Sequence, residues 1–160
     1  MPSKTLIPTA AAVVATGVVG GLASRPARTE WFKKLRKPPY QPPPQVFPIA
    51  WNALYSTIAG VSASTIDEFD RQGRTEEKRR YLAALGANLV LNAGWSWLFF
   101  SQRRLGTAAV AAGVLAASSA DLTRRSVSAR GKAAAPLAAY PLWCTFATVL
   151  SSHIWFLNRR

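Results

Sequence analysis

The sequence predicts an all-α membrane protein, a bundle of five transmembrane helices with a proline-rich loop between the first two. Composition is the first reason: 49% of the residues are hydrophobic and only 17% are charged, where a soluble domain carries about 25%. Charge segregation is the second. The stretches 5–24, 38–66, 81–102, 105–120 and 133–158 contain no Lys, Arg, Asp or Glu. Uncharged, mostly apolar runs of about 20 residues match a bilayer core roughly 30 Å thick. The chain carries 20 Lys plus Arg against seven Asp plus Glu, a net charge of +13. In a soluble protein that excess would suggest nucleic acid. Here the cations gather in the connections, so the expected partner is the lipid bilayer and no nucleic-acid partner is expected. At 160 residues the chain suits one integral, multi-pass domain.

The first helix is read over about 5–24. Its Gly17, Gly20 and Gly21, three and four apart, let a neighbouring helix approach closely. A short apolar stretch after a basic start also fits a cleaved signal peptide, and the residues alone leave both readings open. Residues 25–43 are basic and proline-rich, and so many prolines forbid a continuous helix. The second helix is placed at about 44–66, because a Pro is tolerated in a first turn. A hydrophilic turn, 67–80, leads to a third helix over about 80–101. The fourth runs over about 105–122. A basic loop, 123–132, precedes the fifth at about 134–157. Five spans place the termini on opposite sides, with ten Lys plus Arg on each. The positive-inside rule therefore selects no orientation.

Six tryptophans are the most informative feature. Trp31 and Trp155 fall near helix ends, where aromatic belts form. Trp51, Trp95 and Trp143 lie well inside their helices. Asn92, Trp95 and Phe99 stand at i, i+3 and i+7 and share a face, with Asn88 one turn earlier. Trp143, Ala147 and Leu150 share another, as do Trp51, Leu54 and Tyr55. Asn in hydrocarbon must face the bundle interior. Asn88 and Asn92 then either bridge helices or form the polar fixture of a Trp-walled cavity for a large, flat, mostly apolar ligand. Catalytic signals are sparse. No carboxylate pair lies within a span, His153 reads as a packing residue, and Asp121 beside Arg124 and Arg125 reads as a surface ion pair. Cys144 is the single cysteine and reads as a packing residue. One His and one Cys make no metal site.

Three runs resemble a known family. Trp31 to Tyr55 (WFKKLRKPPYQPPPQVFPIAWNALY), Asn92 to Phe100 (NAGWSWLFF), and Tyr140 to Leu150 (YPLWCTFATVL) followed by Ile154 to Asn158 (IWFLN) are similar to the motifs of the TspO/MBR family. Its members include tryptophan-rich sensory proteins and translocator proteins. The resemblance implies a five-helix bundle, usually a homodimer, that keeps its first helix and holds a pocket beneath the first loop. It implies binding of porphyrin- or haem-type tetrapyrroles and of synthetic benzodiazepine-site ligands, with no required cofactor. Matched by motif, the ligand positions are Trp51, Asn92, Trp95, Trp143, Ala147 and Leu150, with Tyr40 and Pro43 in the lid loop. Phe99 is added from helical spacing. The lid departs from relatives with Trp there, having Pro39, Tyr40 and Gln45. Thr107 and Ala108 replace an aromatic found in some fourth helices. Ser152 and Phe156 stand where animal members carry a proposed cholesterol motif, so cholesterol transport is not expected. The expected function is tetrapyrrole sensing or transport. The alternatives are light-dependent oxidative porphyrin degradation using Trp51 and Trp143, and a structural scaffold. Ala83 and Ala87 form a small-xxx-small pair on the third helix, the expected dimer face.

Overall fold

A computed structural model describes residues 5–24, 34–43, 46–101 and 104–159. Much of the basic connection, including Arg25, Arg28, Trp31 and Lys33, lies outside the described residues, as do Pro44, Gln45 and Arg103. Among the described residues five long helices form: α1 (Leu6–Ser24), α2 (Val46–Arg71), α3 (Thr75–Ser96), α4 (Leu105–Arg130) and α5 (Ala139–Asn158). The helical runs Thr75–Phe99 and Leu105–Asn158 are long and apolar enough to cross a membrane.

Four boundaries differ from those expected, each for a local reason. The second helix begins at Val46 and continues to Arg71 rather than stopping at Ile66. Ile66 and Phe69 are both buried, so the inward face persists, while Asp67 accepts from the Thr5 hydroxyl next to α1 and Asp70 is exposed. A glycine cap then ends it. Gly73 takes φ +67°, its N–H donates to Asp70 O, and Arg74 N–H reaches back to Phe69 O. This 6→1 and 5→2 pair is a Schellman motif, which favours Gly at the left-handed position. The Arg74 guanidinium lies over the Phe69 ring, 5.0 Å from its centroid.

The expected hydrophilic turn over 67–80 therefore shrinks to three residues, and α3 starts at Thr75, earlier than residue 80. Glu76 and Glu77 occupy its first turn, where carboxylates favour the positive end of the helix dipole. At its far end α3 widens into a π-helical turn, Trp97–Ser101. The basic loop expected over 123–132 is helical as far as Arg130. Asp121 pairs with Arg124 and Arg125 one turn on, while Leu122 and Ser126 stay buried. Gly131, at φ +60°, ends α4. Residues Gly131–Ala138 then make a 3-10 turn containing Pro136, so α5 is α-helical only from Ala139 rather than from residue 134.

α1 lies against α2 and α3, α4 lies between α3 and α5, and α2 crosses the interior to touch all of them. Close approach depends on small side chains, as it does where lipid rather than water surrounds helices. Ala63, Ala108, Ala112 and Ala134 are buried. A Cβ on Gly17 would sit 3.2 Å from the Tyr55 ring, so α1 and α2 approach closely there. Hydroxyls inside the bundle bond one turn back on their own helix, as in Thr16 to Ala12 O and Thr65 to Val61 O. That satisfies them without water.

Candidate functional site

Two tyrosine hydroxyls organise the buried polar groups. Tyr140 on α5 donates to Asn88 Oδ1 at 2.7 Å and accepts from Asn92 Nδ2 at 2.8 Å. Asn92 Oδ1 accepts from the Tyr55 hydroxyl at 3.3 Å. Asn88 Nδ2 donates onward to Ser118 and Ser119 of α4. Four helices are thus tied through one polar chain. Closer to the α2–α3 turn, the Tyr81 hydroxyl bonds Ser62 of α2 and Ser126 of α4, at 2.9 and 3.0 Å. Of the two readings left open for Asn88 and Asn92, this arrangement has both bridging helices.

The aromatic side chains lie beside this chain. Trp51 is tilted against Tyr55, with centroids 5.5 Å apart, and meets Trp143 edge-on at 6.4 Å. Trp143 also contacts Phe47 and Phe146. Trp95 stacks on Phe99, at 5.5 Å and 27°. The helix faces read from spacing therefore converge, but on two adjoining groups. Trp51, Trp95 and Ala147 line a small cavity with Ala112, Leu115 and Cys144. Phe99 and Leu150 instead form a second cluster with Ala108 and Ile154, against which Trp95, Phe47, Phe146 and lid residue Leu35 pack.

The cavity measures about 10 Å³. That is room for one water at most, whereas a drug-sized ligand fills about 300–1,000 Å³. The aromatic rings themselves occupy the seam. Its lining offers aromatic faces, methyl groups and one thiol, and no charged side chain. Stacking and dispersion are the main interactions such a lining offers.

Above the seam the lid rests on α5. The Tyr40 hydroxyl and His153 Nδ1 share a 2.9 Å hydrogen bond, and the Tyr40 ring packs on Phe146. The Asn158 amide grips the backbone of Arg36 at both ends, accepting from its N–H at 2.9 Å and donating to its C=O at 2.8 Å. Pro43 is exposed and accepts from Val46 N–H at the start of α2; it does not reach the cavity. Burial lowers the pKa of the Lys37 ammonium below its ordinary value.

Ala83 and Ala87 are exposed on the side of α3 away from Asn88 and Asn92. Next to them an open groove of about 200 Å³ runs between α1 and α3, lined by Ala15, Thr16, Val19, Leu89, Val90 and Ala93.

Spacing alone missed Ala112 and Leu115, because α4 is apolar on every side and shows no contrast between faces. Tyr140 was within reach: it stands three residues before Trp143 and seven before Ala147, on the same face.

Helices of this length and apolarity, closed on an aromatic seam, are those of a helical membrane protein class. Comparison with known proteins says which. The TspO/MBR family profile matches residues 9–156, and the chain belongs to that family. It is 32% identical to the translocator protein of Ovis aries over 158 residues, 97% of this chain and 88% of that protein. It is 30% identical to the tryptophan-rich protein TspO of Bacillus cereus over 133 residues, 83% and 84% of the two chains. A tryptophan-rich sensory protein of Cereibacter sphaeroides is 34% identical over 79 residues, 49% of this chain and 46% of that one.

Proposed function

We propose that this protein crosses the membrane five times and binds a porphyrin- or haem-type tetrapyrrole between α2, α3 and α5, acting as a sensor or transporter. One observation carries the reading: Trp51, Trp95 and Trp143, far apart in sequence, meet at one seam with Phe47 and Phe146 beside them. Stacked aromatic faces with no charged neighbour suit a flat, conjugated, apolar ligand. The relatives' names, translocator and sensory protein, fit transport or signalling rather than synthesis.

The seam opens for the ligand by parting the Trp51, Trp95 and Trp143 rings. The lid, Leu35 to Pro43, closes over the opening, held by Asn158 and His153. Benzodiazepine-site ligands use the same aromatic walls. No cofactor is required. A second copy of the chain docks on the exposed small-residue face of α3 at Ala83 and Ala87.

The test is a titration of the purified protein with protoporphyrin. A saturable shift of the porphyrin's main absorption band, with matching loss of tryptophan fluorescence, is the expected result. No saturable change in either signal leaves the scaffold reading in its place. Illuminating the complex then separates binding from chemistry: an unchanged porphyrin spectrum is expected, and a new absorbing product assigns Trp51 and Trp143 to oxidative degradation.

A further inference from the structure

The two ends of the bundle differ in a way that counting cations conceals. Six of the seven carboxylates lie at 67–77 and 121, and only Glu30 lies elsewhere. At the α2–α3 turn and the end of α4 seven cations have partners on the protein itself. Arg71 pairs with Glu68, Arg74 with Glu77, Lys78 with Asp70, Arg79 and Arg80 with Glu76, and Arg124 and Arg125 with Asp121. The connections at the lid end contain ten Lys and Arg and one carboxylate.

Three of those cations are brought together around the last turn of α5. Arg159 lies over the exposed rings of Trp155 and Phe156, its guanidinium 5.4 and 4.4 Å from their centroids. Asn158, its neighbour, holds Arg36 through the backbone, leaving the Arg36 side chain outside that contact. The start of α4 presses on Trp155 so closely that a Cβ on Gly106 would stand 2.9 Å from its indole nitrogen. Arg104 sits two residues before that contact. All three arginines are exposed, and Trp155 and Phe156 are 40% and 56% exposed beside them. Guanidinium groups over aromatic rings at a helix end suit the headgroup layer, where aromatics anchor and Arg grips phosphate through paired N–H groups.

We propose that Arg36, Arg104 and Arg159 form a docking surface for the phosphate groups of anionic phospholipids in the leaflet facing the lid. The opposite end carries ten Lys and Arg against six carboxylates, and seven of those cations are paired on the protein itself, so it offers less free positive charge. The proposal rests on the membrane reading and not on the tetrapyrrole one. Because Asn158 joins this surface to the lid backbone, lipid held there also braces the lid.

Native mass spectrometry of the intact protein, offered phosphatidylglycerol and phosphatidylcholine together, tests it. Each cation near an anionic surface contributes about a fivefold preference. Arg36→Gln with Arg104→Gln and Arg159→Gln should therefore cut phosphatidylglycerol retention tenfold or more. Arg79→Gln with Arg124→Gln at the other end should leave it within about twofold. The single Arg36→Gln variant, whose backbone contact to Asn158 survives, should show about a fivefold loss by itself. A triple variant that retains phosphatidylglycerol like the parent, or a control pair that loses as much, overturns the proposal. Protoporphyrin titration of the same preparations reads the tetrapyrrole site separately.

Discussion

Tyr140 joins the polar groups of α3 to α5 through one oxygen, and that makes it the most sensitive single residue in the interior. Tyr140→Phe leaves Asn88 Oδ1 without its donor and Asn92 Nδ2 without its acceptor, both inside the bundle. The expected cost is about 1–2 kcal/mol. Tyr81→Phe removes the same kind of group, but its partners Ser62 and Ser126 can rotate to the carbonyl one turn back on their own helices. Its expected cost is below about 1 kcal/mol. Thermal unfolding in detergent should rank the two in that order, and equal or reversed losses would contradict the network described. At this scale Trp51 and Trp95 were legible because a Trp in mid-helix stands out from an interfacial belt, and Ala147 followed from its spacing to Trp143 and from the family motif. Ala112, Leu115 and Cys144 were not, since a small or aliphatic side chain in an all-apolar helix carries no directional signal.

Helix ends follow caps and burial rather than the first charged residue. The charge-free stretches located five helices because a bilayer excludes charge, yet they placed several ends five to eight residues wrong. Asp67–Arg71 and Thr123–Arg130 are charged on one face and buried on the other, so each helix runs on past its first charged residue. Gly73 is the true end of α2. Gly73→Ala, forced into a left-handed conformation, should cost about 1 kcal/mol in the same unfolding measurement; an unchanged midpoint would show that the cap does not matter. The lid's attachment was invisible in the sequence, because Arg36 and Asn158 lie 122 residues apart. Asn158→Ala should raise hydrogen exchange in residues 34–43 and speed ligand release while helix content stays constant. Proline contributes to the same stiffness, so replacing Pro42, Pro43 and Pro44 with Gly should act in the same direction. Unaltered dissociation in both variants would remove the lid from the account.

Across the whole molecule, α3 separates two faces. Asn88 and Asn92 turn inward to the polar chain, while Ala83, Ala87 and Val90, the last 73% exposed, face outward. If two copies meet on that outward face, Ala83→Phe with Ala87→Phe should convert a detergent-solubilised dimer to monomer and leave tetrapyrrole binding largely intact. Light scattering that still reports a dimer would place the interface elsewhere. The claim on which the functional account depends is that the aromatic seam receives the ligand. Protoporphyrin affinity measured for the parent, Trp51→Ala and Trp143→Ala tests it most directly, with circular dichroism confirming the fold of each. Loss of a stacked ring should weaken binding by about 1–3 kcal/mol in each variant. Unchanged affinity in both, with the helices intact, would contradict it.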